Sequence, residues 1–150
     1  MRWFFHCLRH YANFHGRASR KEFWVFQAFS FVTGLLITVF GKSSPIVGIF
    51  ALWLFSVLIT IPSVAVATRR LHDIGRSASI LRRMMILGVT EMAYWLGVFL
   101  SKGRDALALW AAYSVSAIVL LFWLVMIILY SLPSQKGPNA YGNEAPQQPS

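Results

Sequence analysis

Cysteine, acidic residues and charge of any kind are scarce in this chain. Cys7 is the only cysteine, which excludes an intrachain disulfide and a cysteine metal cluster. Only 5 of the 150 residues are Asp or Glu, and charged residues of both signs make up 13%. Soluble domains carry roughly a quarter. No Walker loop, dinucleotide fingerprint, GxSxG elbow or HExxH occurs, so soluble-enzyme chemistry has no visible foothold. No cleavable signal peptide is expected either. The first apolar run begins after 22 polar or amphipathic residues, and no small-residue cleavage site follows it.

What is present is apolar: 57% of the residues, gathered in long runs nearly free of charge. A soluble helix of this length would alternate an apolar stripe with a polar face. Runs of this kind must satisfy their backbone polar groups inside lipid, and a helix does so within one segment. Four runs approach or exceed the roughly 20 residues a span requires. They are residues 23–40, 46–68, 84–100 and 106–130. The third is the shortest and carries Glu91 near its middle. The expectation is an all-α polytopic membrane helical bundle, one integral membrane domain over 1–142 followed by a disordered tail at 143–150.

The bases are distributed unevenly among the connecting segments. With all four spans crossing, 11 of the 14 Lys and Arg fall on one side and 3 on the other. Positive segments stay in the cytoplasm, so the N-terminus, the middle loop and the C-terminus are expected there. The excess charge thus reads as a topology signal and an attraction to anionic headgroups. It is not read as a nucleic-acid footprint. If residues 84–100 did not cross, the C-terminus would lie on the other side.

Local signals refine this outline. Over residues 2–14, Trp3, Phe4, Cys7, Leu8, Tyr11 and Phe14 alternate at helical spacing with Arg2, His6, Arg9, His10 and Asn13. That pattern describes an N-terminal interfacial amphipathic helix, or equally one whose aromatic stripe packs on the bundle. Ser19 and Glu22 form a capping box opening the first span. Pro45 suits the first turn of the second helix. Pro62 inside that helix removes a hydrogen bond and crowds the Leu58 carbonyl, so a kink is expected. Ser56, Thr60, Ser63 and Ala67 make a small-residue face expected to point into the bundle, and Ala108, Ala112 and Ser116 a similar stripe on the fourth helix.

The densest polar segment runs from Arg69 to Ser77, with Gly75 as a helix C-cap. A helix C-terminus favours the cations here and disfavours Asp73. Asp73 therefore calls for a partner, and Arg17, Arg20 or Lys21 of the first segment could supply it. His72 and Asp73 are adjacent on a helix and point apart, so they are not read as a catalytic or metal dyad. His6 and His10 have ligand spacing but no third ligand, and no metal or other cofactor is expected. Glu91 is an acid inside a span. Such a residue marks a proton or substrate path, or else is protonated or hydrogen-bonded to a neighbour such as Tyr94.

Three stretches carry a family resemblance: Phe14 to Trp24, Arg69 to Ser77, and Leu132 to Gly142. In order and spacing the chain resembles a bacterial inner-membrane family known as domain of unknown function 805. The resemblance implies a small integral protein of the bacterial cytoplasmic membrane, and no activity. Members often continue the middle motif with Gly and Trp, where this chain has Ala78-Ser79-Ile80. Three functional classes follow. The first is a non-enzymatic protein whose basic cytoplasmic face (Arg17, Arg20, Lys21, Arg69, Arg70, Arg76, with His72) binds anionic phospholipid, a membrane-protein partner or a second copy, while Glu22 and Asp73 hold the segments in register. The second is a small transporter or channel using Glu91, Ser56, Thr60 and Ser63. The third is a membrane enzyme acting on a lipid phosphate through His72 and Asp73.

Overall fold

The computed structural model describes residues 2–100 and 106–144. Its regular elements are the helices α1 (Arg2–Arg9), α2 (Arg20–Phe40), α3 (Pro45–Asp73), α4 (Ser79–Leu100) and α5 (Ala106–Ser131), with a 3₁₀ turn at Gly41–Ser43. The last four helices are long and apolar enough to cross a membrane. Each contains one expected span. Both α3 and α4 run beyond the apolar stretch, α3 at its C-terminal end and α4 at its N-terminal end. Large apolar side chains such as Phe31 (73% exposed), Ile49 (70%) and Phe99 (77%) stand on the outside, as lipid-facing positions require. The expected disordered end lies outside the described residues from 145 on, as does the connection at 101–105.

The chain forms two compact units: residues up to Arg76 together with those from Pro133 on, and Ser77–Leu132. In the first unit α2 and α3 make a hairpin. Near its turn the backbones touch, because a Cβ at Gly41 would lie 2.7 Å from the Gly48 Cα. Only glycine tolerates that approach, and neither residue stood out in the sequence. Ser44 and Pro45 open α3 as expected.

The N-terminal helix is shorter than its pattern suggested. It ends at Arg9 and passes into a turn. Asn13 is one cause: its side chain accepts from the His15 amide at 3.0 Å, a local bond that competes with helix. Its aromatic face packs on protein. The Phe4 ring lies 4.0 Å from that of Phe29 and 5.5 Å from that of Phe26, and Cys7 is buried. Just past the helix, the Tyr11 hydroxyl donates to the Leu58 carbonyl at 2.6 Å. That carbonyl is the one Pro62 leaves without its helical donor.

The small-residue face of α3 is not buried at Ser56 and Thr60. Their hydroxyls instead bond the carbonyls of Leu52 and Ser56, one turn back on their own helix. Polar side chains at exposed positions of a span satisfy themselves in this way. Ser63 is half-buried.

In the second unit α4 packs on α5. Trp95 Nε1 donates to Ser116 Oγ at 3.0 Å, its ring meets that of Tyr113 edge-on at 5.5 Å, and Ala112 is buried. Glu91, one turn before Trp95, is half-buried, and no ion pair among the described residues involves it.

Candidate functional site: a buried charge clasp

Ser19 begins α2 with φ −70° and ψ 160°, and its hydroxyl accepts from the Glu22 amide at 3.2 Å. Half of the expected capping box is thus present. The other half is not, because the Glu22 carboxylate turns away to Arg69, whose Nη1 lies 2.7 Å from Glu22 Oε1. Cys7 Sγ donates to the same oxygen at 3.5 Å. Burial and the neighbouring carboxylate push the Cys7 thiol up to about 12, which keeps it a protonated donor.

The C-terminal end of α3 is a Schellman turn. Gly75 takes φ +72°, its amide donates to the His72 carbonyl, and the Arg76 amide donates to the Leu71 carbonyl. This turn fixes Asp73 at the end of the helix, where the dipole disfavours an anion. Two guanidiniums offset that. Arg17 Nε lies 2.9 Å from Asp73 Oδ1, and Arg70 Nη1 bonds Oδ2. Gly16, at φ +85°, turns the chain into position. The Ala18 amide then donates to the Arg69 carbonyl, tying the two segments by backbone as well.

The third segment comes from the tail. Arg17 Nη1 donates to the Gly137 carbonyl at 2.6 Å, and Nη2 to the carbonyls of Asp73 and Gln135. The Gln135 amide donates to the Asp73 carbonyl, and Asn139 Nδ2 to the His72 carbonyl at 3.0 Å. The Tyr141 ring stacks on the His72 ring with centroids 4.0 Å apart and planes 4° from parallel. His72 Nδ1 faces the Gly16 carbonyl at 3.3 Å, so its ring is used in holding the three segments together.

Of the nine residues expected on a basic face, the structure brings together Arg17, Glu22, Arg69, Arg70 and Asp73, all buried. His72 is half-buried, whereas Arg20, Lys21 and Arg76 are exposed around the group. Arg17, Arg69 and Arg70 are therefore internal cations, not surface ones. Burying a charge is tolerable only with a partner and hydrogen bonds. Arg69 is the least satisfied, since its Nε and Nη2 have no hydrogen-bond partner among the described residues, nor has Glu22 Oε2. Cys7, Ser134, Gln135, Gly137, Asn139 and Tyr141 were not foreseen at the site, although the last five belong to the third motif stretch. No group of three metal-ligating side chains occurs among the described residues.

Four helices long and apolar enough to cross a membrane make this an integral membrane protein, and a buried charge clasp ties its polar segments together. The chain belongs to the family described as Protein of unknown function (DUF805), whose model matches residues 11–143. It is similar to two inner membrane proteins of Escherichia coli K12. YhaI is 26% identical over 144 residues, covering 96% of this chain and 95% of its own. YhaH is 29% identical over 154 residues, covering 99% of this chain and 100% of its own. No solved structure matches it. The matched region contains all three segments of the clasp except its Cys7 contact.

Proposed function

We propose that the clasp end is the cytoplasmic end of an inner-membrane protein that binds rather than catalyses, and that its exposed cations engage anionic phospholipid. The carrying observation is the division of the basic residues. Arg17, Arg69 and Arg70 are consumed by internal pairing. Arg20, Lys21 and Arg76 remain exposed on the segments that the pairing fixes. The clasp thus serves as a rigid mount, and the outer three are the charges that meet headgroups, each worth about 1 kcal/mol near an anionic surface.

The orientation rests on two supports. One is the excess of bases in the segments on this side. The other is the tail itself, which bonds Arg17 and the end of α3 and so lies on the same side as the N-terminal segment. Both ends on one side require an even number of crossings, which favours a full crossing by α4.

Native mass spectrometry of the protein in nanodiscs containing phosphatidylglycerol tests the reading. The wild type is expected to retain the anionic lipid, and a variant with Arg20, Lys21 and Arg76 changed to Gln is expected to lose it. Equal retention by both sinks the proposal.

A further inference from the structure

We infer that the groove at the turn of the α2–α3 hairpin is a phospholipid site, with an acyl chain along its apolar lining and the headgroup phosphate on Lys42. It lies at the opposite end of the hairpin from the clasp, on residues that the reading above does not use. A groove of about 310 Å³ opens there, where Gly41 and Gly48 bring the two backbones together. Small-molecule sites occupy roughly 300–1,000 Å³ and are mainly apolar with a few placed polar groups. Ile37, Ile49 and Leu52 supply the apolar part here, and Thr38 and Lys42 the polar part. The Thr38 hydroxyl is already spent on the Gly34 carbonyl at 2.9 Å. Lys42 is therefore the group left to fix a ligand.

The charge of Lys42 has no counter-ion among the described residues of its unit. The acids there are Glu22, Asp73 and Glu144, all at the clasp end, and none of the described ion pairs includes Lys42. The 21 residues of α2, about 30 Å of helix, separate the clasp from the turn. Lys42 is also the only base between Lys21 and Arg69, so the anion it meets has to come from outside the hairpin. Depth says which anion. Both helices are long and apolar enough to cross a membrane, and the first of these spans ends at Ser43. Lys42 thus stands at the edge of the span, where a lysine reaches outward to the headgroup level. Leu52 lies about 10 Å along α3 from Pro45, at the level of acyl chains. A cation above an apolar groove matches a phosphate above its chain. A second copy of the protein would bring helix faces to the groove but no described acid at this end of its own hairpin.

The test is photolabelling of the full chain in dodecyl maltoside micelles, which carry no phosphate. The probe is a phosphatidylethanolamine with a diazirine in its acyl chain, and labelled residues are read by peptide mass spectrometry. Its net-neutral headgroup keeps the clasp-end charges out of the reading. Labels are expected at Ile37, Ile49 and Leu52, saturating with probe and displaced by unlabelled phosphatidylethanolamine. Phe31, on the same helix and 73% exposed, should label in proportion to lipid without saturating. K42Q should weaken groove binding about fivefold, the worth of one cation at an anionic surface, and K42R should restore it. T38F should fill the groove and abolish the label. Lys42 and Thr38 are both exposed, so neither change disturbs the core. Groove labelling that fails to saturate, as at Phe31, means bulk lipid only and overturns the inference. So does saturable labelling that K42Q leaves unchanged, and so does an unlabelled groove, whether empty or filled by a second copy in a dimer. Loss of the label on changing Arg20, Lys21 and Arg76 to Gln would assign it to the clasp end and also overturns the groove site. Its persistence in that variant upholds the groove site even if the clasp end holds no anionic lipid.

Discussion

The Tyr11 hydroxyl is 2.6 Å from the Leu58 carbonyl, four residues before Pro62. The bond replaces the donor that proline cannot supply and fixes the chain between α1 and Gly16 against α3. An orphan carbonyl inside a membrane is expensive, so Tyr11→Phe should destabilise the protein by about 1–3 kcal/mol. The cause is testable by a double-mutant cycle. Pro62→Ala returns a backbone N–H to the Leu58 carbonyl, and in that background Tyr11→Phe should cost nearly nothing. Unfolding in mixed detergent micelles measures both. Equal costs in the two backgrounds would show that the hydroxyl matters for some other reason.

Asp73 stands between two buried guanidiniums, whereas Glu22 serves one. Asp73→Asn takes away the carboxylate that Arg17 and Arg70 share, and breaking a buried pair in this way costs about 3–5 kcal/mol. It should also free the tail, because Arg17 loses the contact that aims its fork at Gln135 and Gly137. Glu22→Gln removes the partner of Arg69 alone and should destabilise without freeing the tail. Exchange of the Gln135 amide hydrogen separates the two. Faster exchange in both variants, or in neither, contradicts the division of the clasp into an Arg17–Asp73–Arg70 group that holds the tail and a separate Arg69–Glu22 pair.

Much of this arrangement was legible in the sequence because it follows from local rules. Apolar run length defined the four spans, Ser19 and Pro45 their starts, and Gly75 the end of α3. The need of Asp73 for a cation was legible too, from its place at a helix C-terminus. Which cation was not, because Arg17, Arg20 and Lys21 differ only in where the Gly16 turn points them. The tail was missed for a plainer reason. Arg17 holds it by the carbonyls of Gln135 and Gly137, and main-chain acceptors leave no mark in residue type. The burial of Arg69 and Arg70 was likewise hidden, since a basic run beside a span looks the same whether it faces water or a carboxylate.

The contact between Gly41 and Gly48 illustrates a constraint of that hidden kind and yields a sharp contrast. A Cβ at Gly41 would lie 2.7 Å from the Gly48 Cα, and one at Gly48 would lie 2.7 Å from the Gly41 Cα and 2.8 Å from its oxygen. The obstacles are backbone atoms, which cannot rotate aside, so the α2–α3 hairpin must open to admit a methyl group. Overpacking of this sort costs about 1–3 kcal/mol. Gly88, inside α4, has nothing within 4 Å of its Cβ position. There alanine should be neutral or stabilise by roughly 0.5–1 kcal/mol, through helix propensity alone. Thermal unfolding of Gly41→Ala, Gly48→Ala and Gly88→Ala in one detergent makes the comparison. The first two should melt lower than the wild type and the third at or above it. Because either methyl opens the same contact, combining Gly41→Ala with Gly48→Ala should cost less than the two single changes added together. A fully additive double variant would mean that the two glycines are constrained by separate neighbours rather than by each other.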